Sequence, residues 1–160
     1  PSSSWDVMEA LIPLNLPKAT LTLTRKDNVI FVNCLIRKKK IILTPEEWVR
    51  QHYINYLSAH LLYSLSFISV EKELNYFGLK KRWDIVVVNN LFEPIILVEC
   101  KAPNIKLNQE AHKQVFSYQN KLNCEYIVLS NGIEHINWKV DQLKKKIIEV
   151  SEIPIYFSSE

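Results

Sequence analysis

The chain has 160 residues, of which 48% are hydrophobic and 23% are charged, and its net charge is +3. This length and balance predict one globular domain with a real core, and the mild positive charge is compatible with nucleic acid. Two glycines and the lack of a Gly-rich phosphate loop exclude the P-loop and dinucleotide-binding classes. The three cysteines show no metal-ligand spacing and suit a reducing cytoplasm, and no apolar run reaches the length of a membrane span.

The first part of the chain is predicted to be an extension packed on the core. Residues 1–7 precede the only methionine and are left out of the fold prediction. Alternation at Thr20–Thr24, the turn signal Asp27-Asn28 and the apolar run Val29–Val32 predict a β-hairpin. The expected organisation is a single domain made of an N-terminal extension (1–35), a core (36–140) and a C-terminal helix with an extended tail (141–160).

A long helix is predicted to begin at Thr44 and to run to about Leu62. Thr44 can cap the helix, and the acidic residues in the first turn favour the positive end of the helix dipole. An apolar residue recurs every four positions from Val49 onward, which puts Glu46 on the inward stripe and Glu47 on the outward face. Glu46 is therefore the carboxylate expected to reach a site beneath this helix, with stabilisation of the helix dipole as its alternative role.

Two β-branched runs joined by a polar turn predict a hairpin over Arg82–Lys101. With the turn at Asn90–Glu93, Val86 faces Leu97, and the same register places Asp84 opposite Glu99. Side chains that face each other across two strands lie about 5 Å apart at Cβ, so two carboxylates there repel unless a proton or a cation lies between them.

Lys101 follows Glu99 by two residues and projects from the same strand face. A pair of carboxylates with a neighbouring amine predicts a hard-cation site.

After this hairpin the sequence predicts a second helix, from Gln109 to about Leu122, with Asn108 as its cap. Gln114 and Tyr118 are one turn apart on this helix and share a face. The usual alternative for such a glutamine is a solvated position. The rest of the chain predicts a buried strand at Cys124–Asn131, another strand at Ile133–Val140 and a short basic helix at Asp141–Val150.

Two runs of cations occur at Arg37–Lys40 and at Lys80, Lys81 and Arg82. Each run has two interpretations, one structural and one in which it binds phosphates. The first run either protects a sheet edge from aggregation or contacts phosphates. The second either pairs with carboxylates of the preceding strand or binds phosphates that approach a metal at Asp84.

The spacing of Asp84 and Glu99-Cys100-Lys101 resembles the D-Xn-E-X-K signature of the restriction-endonuclease-like (PD-(D/E)XK) nucleases. The segment from Gln114 to Tyr118 resembles the Q-X-X-X-Y element that follows the catalytic strand in some members. More narrowly, three segments are similar to the N-terminal nuclease domain of type I restriction enzyme R subunits: Leu43–Gln51, Lys81–Val87 and Leu97–Pro103. The similarity covers about residues 36–138. R subunits continue into a helicase-like motor, and translocation is not expected of these 160 residues.

This resemblance implies an α/β fold with a restriction-endonuclease-like core. Its central mixed β-sheet is flanked by helices in the order helix, three strands, helix, strand, with extra strands at both ends of the chain. The predicted elements indicate the same class, because they contain strand pairs connected through a crossover helix.

The resemblance also implies a Mg²⁺-dependent endonuclease that hydrolyses phosphodiester bonds in DNA, with Mn²⁺ as a possible substitute. Asp84, Glu99 and the backbone carbonyl of Cys100 would hold the metal. Lys101 would position the attacking water or stabilise the developing charge.

The remaining implied roles support this centre. Gln114 would orient Lys101 or a phosphate, and Tyr118 would support Gln114. Glu46 would contact the metal through water or hold its ligands. Lys80, Lys81 and Arg82 would bind DNA.

The implied partner is DNA, with a homodimer or other restriction or repair subunits as further partners and no membrane. Two other classes stay open. One is a catalytically silent nucleic-acid-binding or protein-interaction module on the same fold, and the other is a structural protein whose charges form an ion-pair cluster. The retained Asp84, Glu99 and Lys101 argue against a degenerate site, and carboxylate-dependent binding of Mg²⁺ would distinguish the classes.

Overall fold

A computed structural model describes residues 11–76 and 79–157. Its larger sheet has six strands in the spatial order β4 (Ile68–Tyr76), β5 (Leu79–Val88), β6 (Pro94–Cys100), β7 (Tyr126–Ser130), β8 (His135–Asp141) and β9 (Lys146–Val150). A small antiparallel sheet contains β1 (Leu23–Lys26), β2 (Val29–Asn33) and β3 (Lys40–Ile42). Two α-helices, α1 (Pro45–Asn55) and α2 (Gln109–Leu122), complete the described elements, together with a π-helical turn at Tyr56–His60 and a 3₁₀ turn at Leu65–Phe67.

Both predicted helix starts are confirmed. The hydroxyl of Thr44 accepts a hydrogen bond from the amide of Glu47 at 3.0 Å, and the side chain of Asn108 accepts one from the amide of Ala111 at 3.1 Å. Each cap satisfies one of the amides that a helix leaves unpaired at its first turn. These caps place the start of α1 just after β3 and the start of α2 a few residues after β6.

The larger sheet separates two apolar layers. On one face, Val49, Tyr53 and Leu57 of the first helical segment belong to the same buried cluster as Ile85 and Val98. On the other face, a second cluster joins the apolar positions of α2 to the sheet; it includes Ala111, Val115, Leu97, Ile127 and Trp138. The central strands β6 and β7 are therefore covered on both sides, which explains their continuous apolar sequences.

Strands β6 and β7 are parallel, whereas the other neighbours in the larger sheet are antiparallel. A parallel pair needs a crossover connection, and α2 supplies it. The sheet is thus mixed, and the core follows the predicted order of helix (α1), three strands (β4 to β6), helix (α2) and strand (β7). The predicted restriction-endonuclease-like α/β fold is confirmed.

The hairpin of β5 and β6 has the predicted pairing of Val86 with Leu97. Its loop is one residue longer than expected, because β5 ends at Val88 and a register shift lies between Val87 and Val88. The side chain of Asn89 accepts hydrogen bonds from the amides of Leu91 and Glu93, which closes the loop.

The helix predicted at residues 141–150 is wrong, because this segment is a turn followed by β9. The Asp141 carboxylate accepts hydrogen bonds from the amides of Leu143 and Lys144, and Lys145 has a left-handed backbone with φ 52°. Lys146 and the residues after it then pair with β8. Lys144 and Lys145 occupy the turn, and the β-branched residues after Lys146 form most of the edge strand, as their intrinsic preferences favour.

The first helix is also shorter than predicted, since α1 ends at Asn55 and a π-helical turn continues to His60. No helix of residues 11–76 and 79–157 is long and apolar enough to cross a membrane.

Candidate active site

A cleft of about 560 Å³ opens where the first helix, the larger sheet and the small sheet meet. Its walls are formed by Arg37, Ile41, Ile42, Thr44, Glu46, Glu47, Arg50, Asp84, Glu99, Lys101 and Gln114. The structure therefore brings together five of the predicted site residues: Glu46, Asp84, Glu99, Lys101 and Gln114. These residues come from α1, β5, β6, the segment after β6 and α2.

Asp84 and Glu99 are the acidic pair of this cleft. The register that pairs Ile85 with Val98 places the two carboxylates opposite each other one position further along, as the hairpin predicted. They are 6% and 5% exposed. Burial and the charge of Asp84 raise the pKa of Glu99 to about 10. Without a cation the pair therefore holds a proton at neutral pH, which is the physical consequence of two acids in a place with little water.

Asp84 is held by two hydrogen bonds from different parts of the fold. Its Oδ1 accepts from Nη2 of Arg50 at 2.8 Å, and its Oδ2 accepts from the backbone amide of Cys100 at 2.7 Å. Cys100 is the last residue of β6 and is fully buried. The carboxylate of Asp84 is thus fixed against the end of the strand that carries Glu99.

Arg50 is a site residue that the sequence did not predict. Its guanidinium donates to Glu47, and it lies 3.3 Å from the carboxylate of Glu46 in addition to its bond with Asp84. Burial lowers the pKa of Arg50, but the carboxylates of Asp84 and Glu47 outweigh this effect and raise it. A buried guanidinium surrounded by three carboxylates is always charged and orients them with its planar fork.

The prediction that Glu47 faces outward is wrong, because Glu47 is only 5% exposed. Its second carboxylate oxygen accepts from the side-chain amide of Gln51 at 2.8 Å, and the carbonyl oxygen of Gln51 accepts from the backbone amide of Leu35 at 3.0 Å. The turn that connects β2 to β3 of the small sheet contacts the side of α1 that was expected to face solvent. The signal was the spacing of Glu47, Arg50 and Gln51 at i, i+3 and i+4, which places the three side chains side by side.

Glu46 lies in the cleft, as predicted, with 46% of its side chain exposed. Burial, followed by the charge of Asp84, raises the pKa of Glu46. Its position at the mouth of the cleft leaves it within reach of both solvent and the acidic pair.

Lys101 and Gln114 are in direct contact. Nζ of Lys101 donates to Oε1 of Gln114 at 2.5 Å, which links the segment after β6 to the second turn of α2. Four other predicted residues, Lys80, Lys81, Arg82 and Tyr118, have backbones within β5 or α2, but their side chains lie outside the described part of the structure.

The donor atoms of this cleft fit a hard divalent cation. Oε2 of Glu99 is buried and has no hydrogen-bond partner among the described residues, which is costly unless another group binds it. In the described residues no set of three His, Cys, Asp or Glu side chains is arranged to hold a metal ion. Two opposed carboxylates suit Mg²⁺, which prefers oxygen ligands and retains several waters.

A mixed sheet whose parallel strands β6 and β7 are connected through α2 has the restriction-endonuclease-like fold. The family model described as "Type I restriction enzyme R protein N terminus (HSDR_N)" matches residues 45–154, and the chain belongs to this family. The matched residues include Glu46, Asp84, Glu99, Lys101 and Gln114.

The chain is also similar to a solved structure described as "The fragment structure of a putative HsdR subunit of a type I restriction enzyme from Vibrio vulnificus YJ016". The identity is 21%, the TM-score is 0.42, and the match covers 54% of this chain and 18% of that chain. The chain therefore spans less than a fifth of that relative. No curated protein matches the chain.

Proposed function

We propose that this chain is a nuclease domain that hydrolyses DNA phosphodiester bonds with Mg²⁺, for which Mn²⁺ can substitute. One observation carries the proposal. A single cleft holds two opposed buried carboxylates, Asp84 and Glu99, beside Lys101, whose ammonium is hydrogen-bonded to Gln114. Membership of the R-protein N-terminal family supports this reading, because restriction enzymes cleave DNA.

In this proposal Asp84, Glu99 and the backbone carbonyl of Cys100 hold the metal, with Glu46 at the mouth of the cleft to contact it through water. When bound, the metal polarises the phosphate and makes a bound water more acidic. Arg50 keeps the carboxylate of Asp84 in one orientation.

Lys101 faces the same cleft and supplies positive charge where negative charge develops on the phosphate. Because Gln114 already holds the ammonium of Lys101, the lysine loses less conformational entropy when it acts in this position. Tyr118, one turn further along α2, is proposed to support Gln114.

DNA is the proposed substrate, and Lys80, Lys81 and Arg82 are proposed to contact its phosphates. Other restriction or repair subunits, or a second copy of the chain, are the proposed protein partners. The three cysteines are buried thiols without a disulfide, which suits the reducing cytoplasm as the site of action.

A second candidate is a catalytically silent DNA-binding module on the same fold. The favouring observation is that both oxygens of Asp84 already accept hydrogen bonds, from Arg50 and from the amide of Cys100. A carboxylate neutralised by a guanidinium has less charge to offer a metal.

The first test is a metal titration followed by the melting temperature. Mg²⁺ or Mn²⁺ should raise the melting temperature of the wild-type chain, because any ligand of the native state stabilises it. Asp84→Asn should abolish this rise. Glu149→Gln removes an exposed carboxylate on β9 and should leave the rise intact. A rise in Asp84→Asn equal to that of the wild type would contradict the metal site.

The second test is cleavage of linear, circular and branched DNA with and without Mn²⁺. Cleavage of any form that requires the metal supports the nuclease. DNA binding without cleavage of any form would favour the silent module instead.

A further inference from the structure

Four consecutive cations, Arg37, Lys38, Lys39 and Lys40, follow one another from the turn after β2 to the first residue of β3, at the rim of the active-site cleft; this segment is named the basic turn. Arg37 and Ile41 both line the cleft, and they bracket the three lysines in the chain. Each of the three lysines is exposed. The basic turn therefore presents its lysine side chains to solvent within a few residues of the wall that faces Asp84 and Glu99.

Backbone hydrogen bonds hold the basic turn in place. The amide of Cys34 donates to the carbonyl of Lys39 at 2.9 Å, and the amide of Lys38 donates to the carbonyl of Cys34 at 3.0 Å. Lys38 has a left-handed backbone with φ 59°, a conformation that glycine or asparagine adopts more readily than lysine. These two bonds and the left-handed residue close the connection between β2 and β3.

The basic turn is also fixed relative to the acidic pair. The amide of Leu35 donates to Gln51, Gln51 donates to Glu47, and Arg50 bridges Glu47 to Asp84. This chain of hydrogen bonds joins Leu35, two residues before the basic turn, to the carboxylate of Asp84 in the cleft. A phosphate bound at the turn would consequently lie at a defined distance from Asp84.

The charges of the cleft make such a rim necessary for a polyanionic substrate. Four carboxylates line the cleft and three cations accompany them, so the interior without metal does not attract phosphate. Affinity for DNA comes mainly from lysines and arginines that neutralise phosphates outside the reacting centre. The lysines of the basic turn supply such charges on the side of the small sheet.

We infer that the basic turn is a binding site for the DNA backbone and contacts phosphates that flank the one in the cleft. The inference rests on the proposed function for its substrate class. It assigns the small sheet and its turn to substrate binding, whereas a solvated edge that discourages strand pairing is the competing explanation.

The test compares two triple variants that change the net charge equally. One replaces Lys38, Lys39 and Lys40 with alanine. The control replaces Lys144, Lys145 and Lys146, which are exposed at the end of the turn after β8 and the start of β9 and do not line the cleft. Binding to a DNA duplex is measured over a range of salt concentrations without divalent metal, so that no cleavage occurs.

Each phosphate contact contributes roughly 0.9 units to the slope of log affinity against log salt. The variant of the basic turn should lower this slope by roughly one to three units, while the control should match the wild type. Equal slopes for both variants would overturn the inference and would leave the nuclease proposal standing. Conversely, salt-dependent binding through the turn without any metal-dependent cleavage would refute the nuclease and retain the turn. Failure of the wild type to bind DNA would refute both.

Lys38→Gly separates binding from folding. It removes one charge and relieves the left-handed backbone, so the melting temperature should not fall while DNA affinity decreases. A loss of affinity only in variants with a lowered melting temperature would count against direct contact.

The position of the DNA can be mapped because all three cysteines are buried. Lys39→Cys then offers one accessible thiol for an iron–EDTA chelate, which cuts DNA near it through hydroxyl radicals. Discrete cuts from Lys39→Cys, and none above background from Lys145→Cys, are expected. Indistinguishable patterns from the two positions would overturn the inference.

Discussion

At the scale of single residues, the acidic pair depends on a third residue that carries no sequence signature. Arg50 contacts Glu46, Glu47 and Asp84, and its side chain is 6% exposed. A buried ion pair is costly to desolvate, and breaking it by removing one partner leaves an uncompensated charge. The guanidinium therefore compensates the negative charge of Asp84 and holds its carboxylate in the cleft.

We predict that Arg50→Met lowers the free energy of unfolding by about 3–5 kcal/mol in metal-free buffer, because it leaves buried carboxylates unpaired. Saturating Mg²⁺ should restore part of this loss by replacing the missing positive charge. Urea unfolding with and without Mg²⁺ measures both effects. Arg50→Lys, which keeps the charge without the planar fork, should lose less stability. An equal loss in the two variants would show that packing, not charge, holds Arg50.

Lys101 should matter for cleavage and little for binding. An ammonium cannot ligate a metal, so Lys101→Ala should keep the metal-induced rise in melting temperature. DNA affinity should fall slightly, since one phosphate contact is a small part of the total. Single-turnover cleavage should fall by roughly 10²–10⁴-fold, the usual contribution of an electrostatic or proton-transferring group. Gln114→Ala should show a smaller loss of rate, because it acts through Lys101. Cleavage by Lys101→Ala near the wild-type rate would contradict the proposed triad.

At the scale of elements, the sequence predicted what depends on local signals and missed what depends on neighbours. The caps at Thr44 and Asn108, the hairpin register and the order of the core elements follow from side chains a few residues apart. The burial of the outward face of α1, with Glu47, did not follow from such signals, because a prediction from apolar periodicity assumes that one side of the helix is solvated. Seven of the eleven residues of α1 are buried, and its polar side chains are buried by bonding to one another and to Leu35.

The segment after β8 shows the same limit. Its lysines at Lys144–Lys146 suggested a solvated helix face, but pairing with β8 decides the structure of the isoleucines that follow. An edge strand such as β9 has only one hydrogen-bonded neighbour and is exposed on more of its surface. Its sequence therefore alternates less clearly between apolar and polar residues. The turn chemistry of Asp141 was the local signal that favoured a hairpin.

A glycine substitution at Lys145 distinguishes the observed turn from the predicted helix, because its effect on stability has opposite signs in the two structures. Lys145 has φ 52°, so Lys145→Gly should raise the free energy of unfolding by about 0.5–1 kcal/mol, through relief of a left-handed backbone. Within a helix the same change would cost about 1 kcal/mol. Lys144→Gly, at a residue without positive φ, is the control and should destabilise the chain. Thermal unfolding measures all three proteins, and a loss of stability in Lys145→Gly would contradict the turn.

At the scale of the whole molecule, α1 connects the small sheet to the larger sheet, and the cleft lies where these elements meet. Motif spacing and the apolar periodicity of α1 were enough to predict that five residues share a site, because one strand pair and two helices bring them together: Glu46, Asp84, Glu99, Lys101 and Gln114. The wall formed by Arg37, Ile41 and Ile42 could not be predicted this way. The position of this wall depends on how the small sheet packs on α1. Polar contacts fix that packing, and they join segments far apart in the sequence, which no periodic pattern connects.

The contact between the small sheet and α1 can be tested at Gln51, since this residue is 0% exposed and is hydrogen-bonded both to Leu35 and to Glu47. Gln51→Leu keeps a similar volume but leaves the amide of Leu35 and one oxygen of Glu47 without these partners. Each such buried group costs about 1–3 kcal/mol. Because Leu35 lies between β2 and β3 of the small sheet, we expect local opening of this sheet before the core opens.

The measurement is amide hydrogen exchange, read at Val32 in β2 and at Ile127 in β7. In Gln51→Leu the exchange of Val32 should accelerate by roughly ten- to a hundredfold, as 1.4 kcal/mol corresponds to a factor of ten, while Ile127 changes less. Val49→Ala, which weakens the apolar layer between α1 and the larger sheet, should not produce this selectivity. Equal acceleration at both amides in Gln51→Leu would mean that the two sheets open as one unit and that the hydrogen-bonded chain does not by itself hold the small sheet against the cleft.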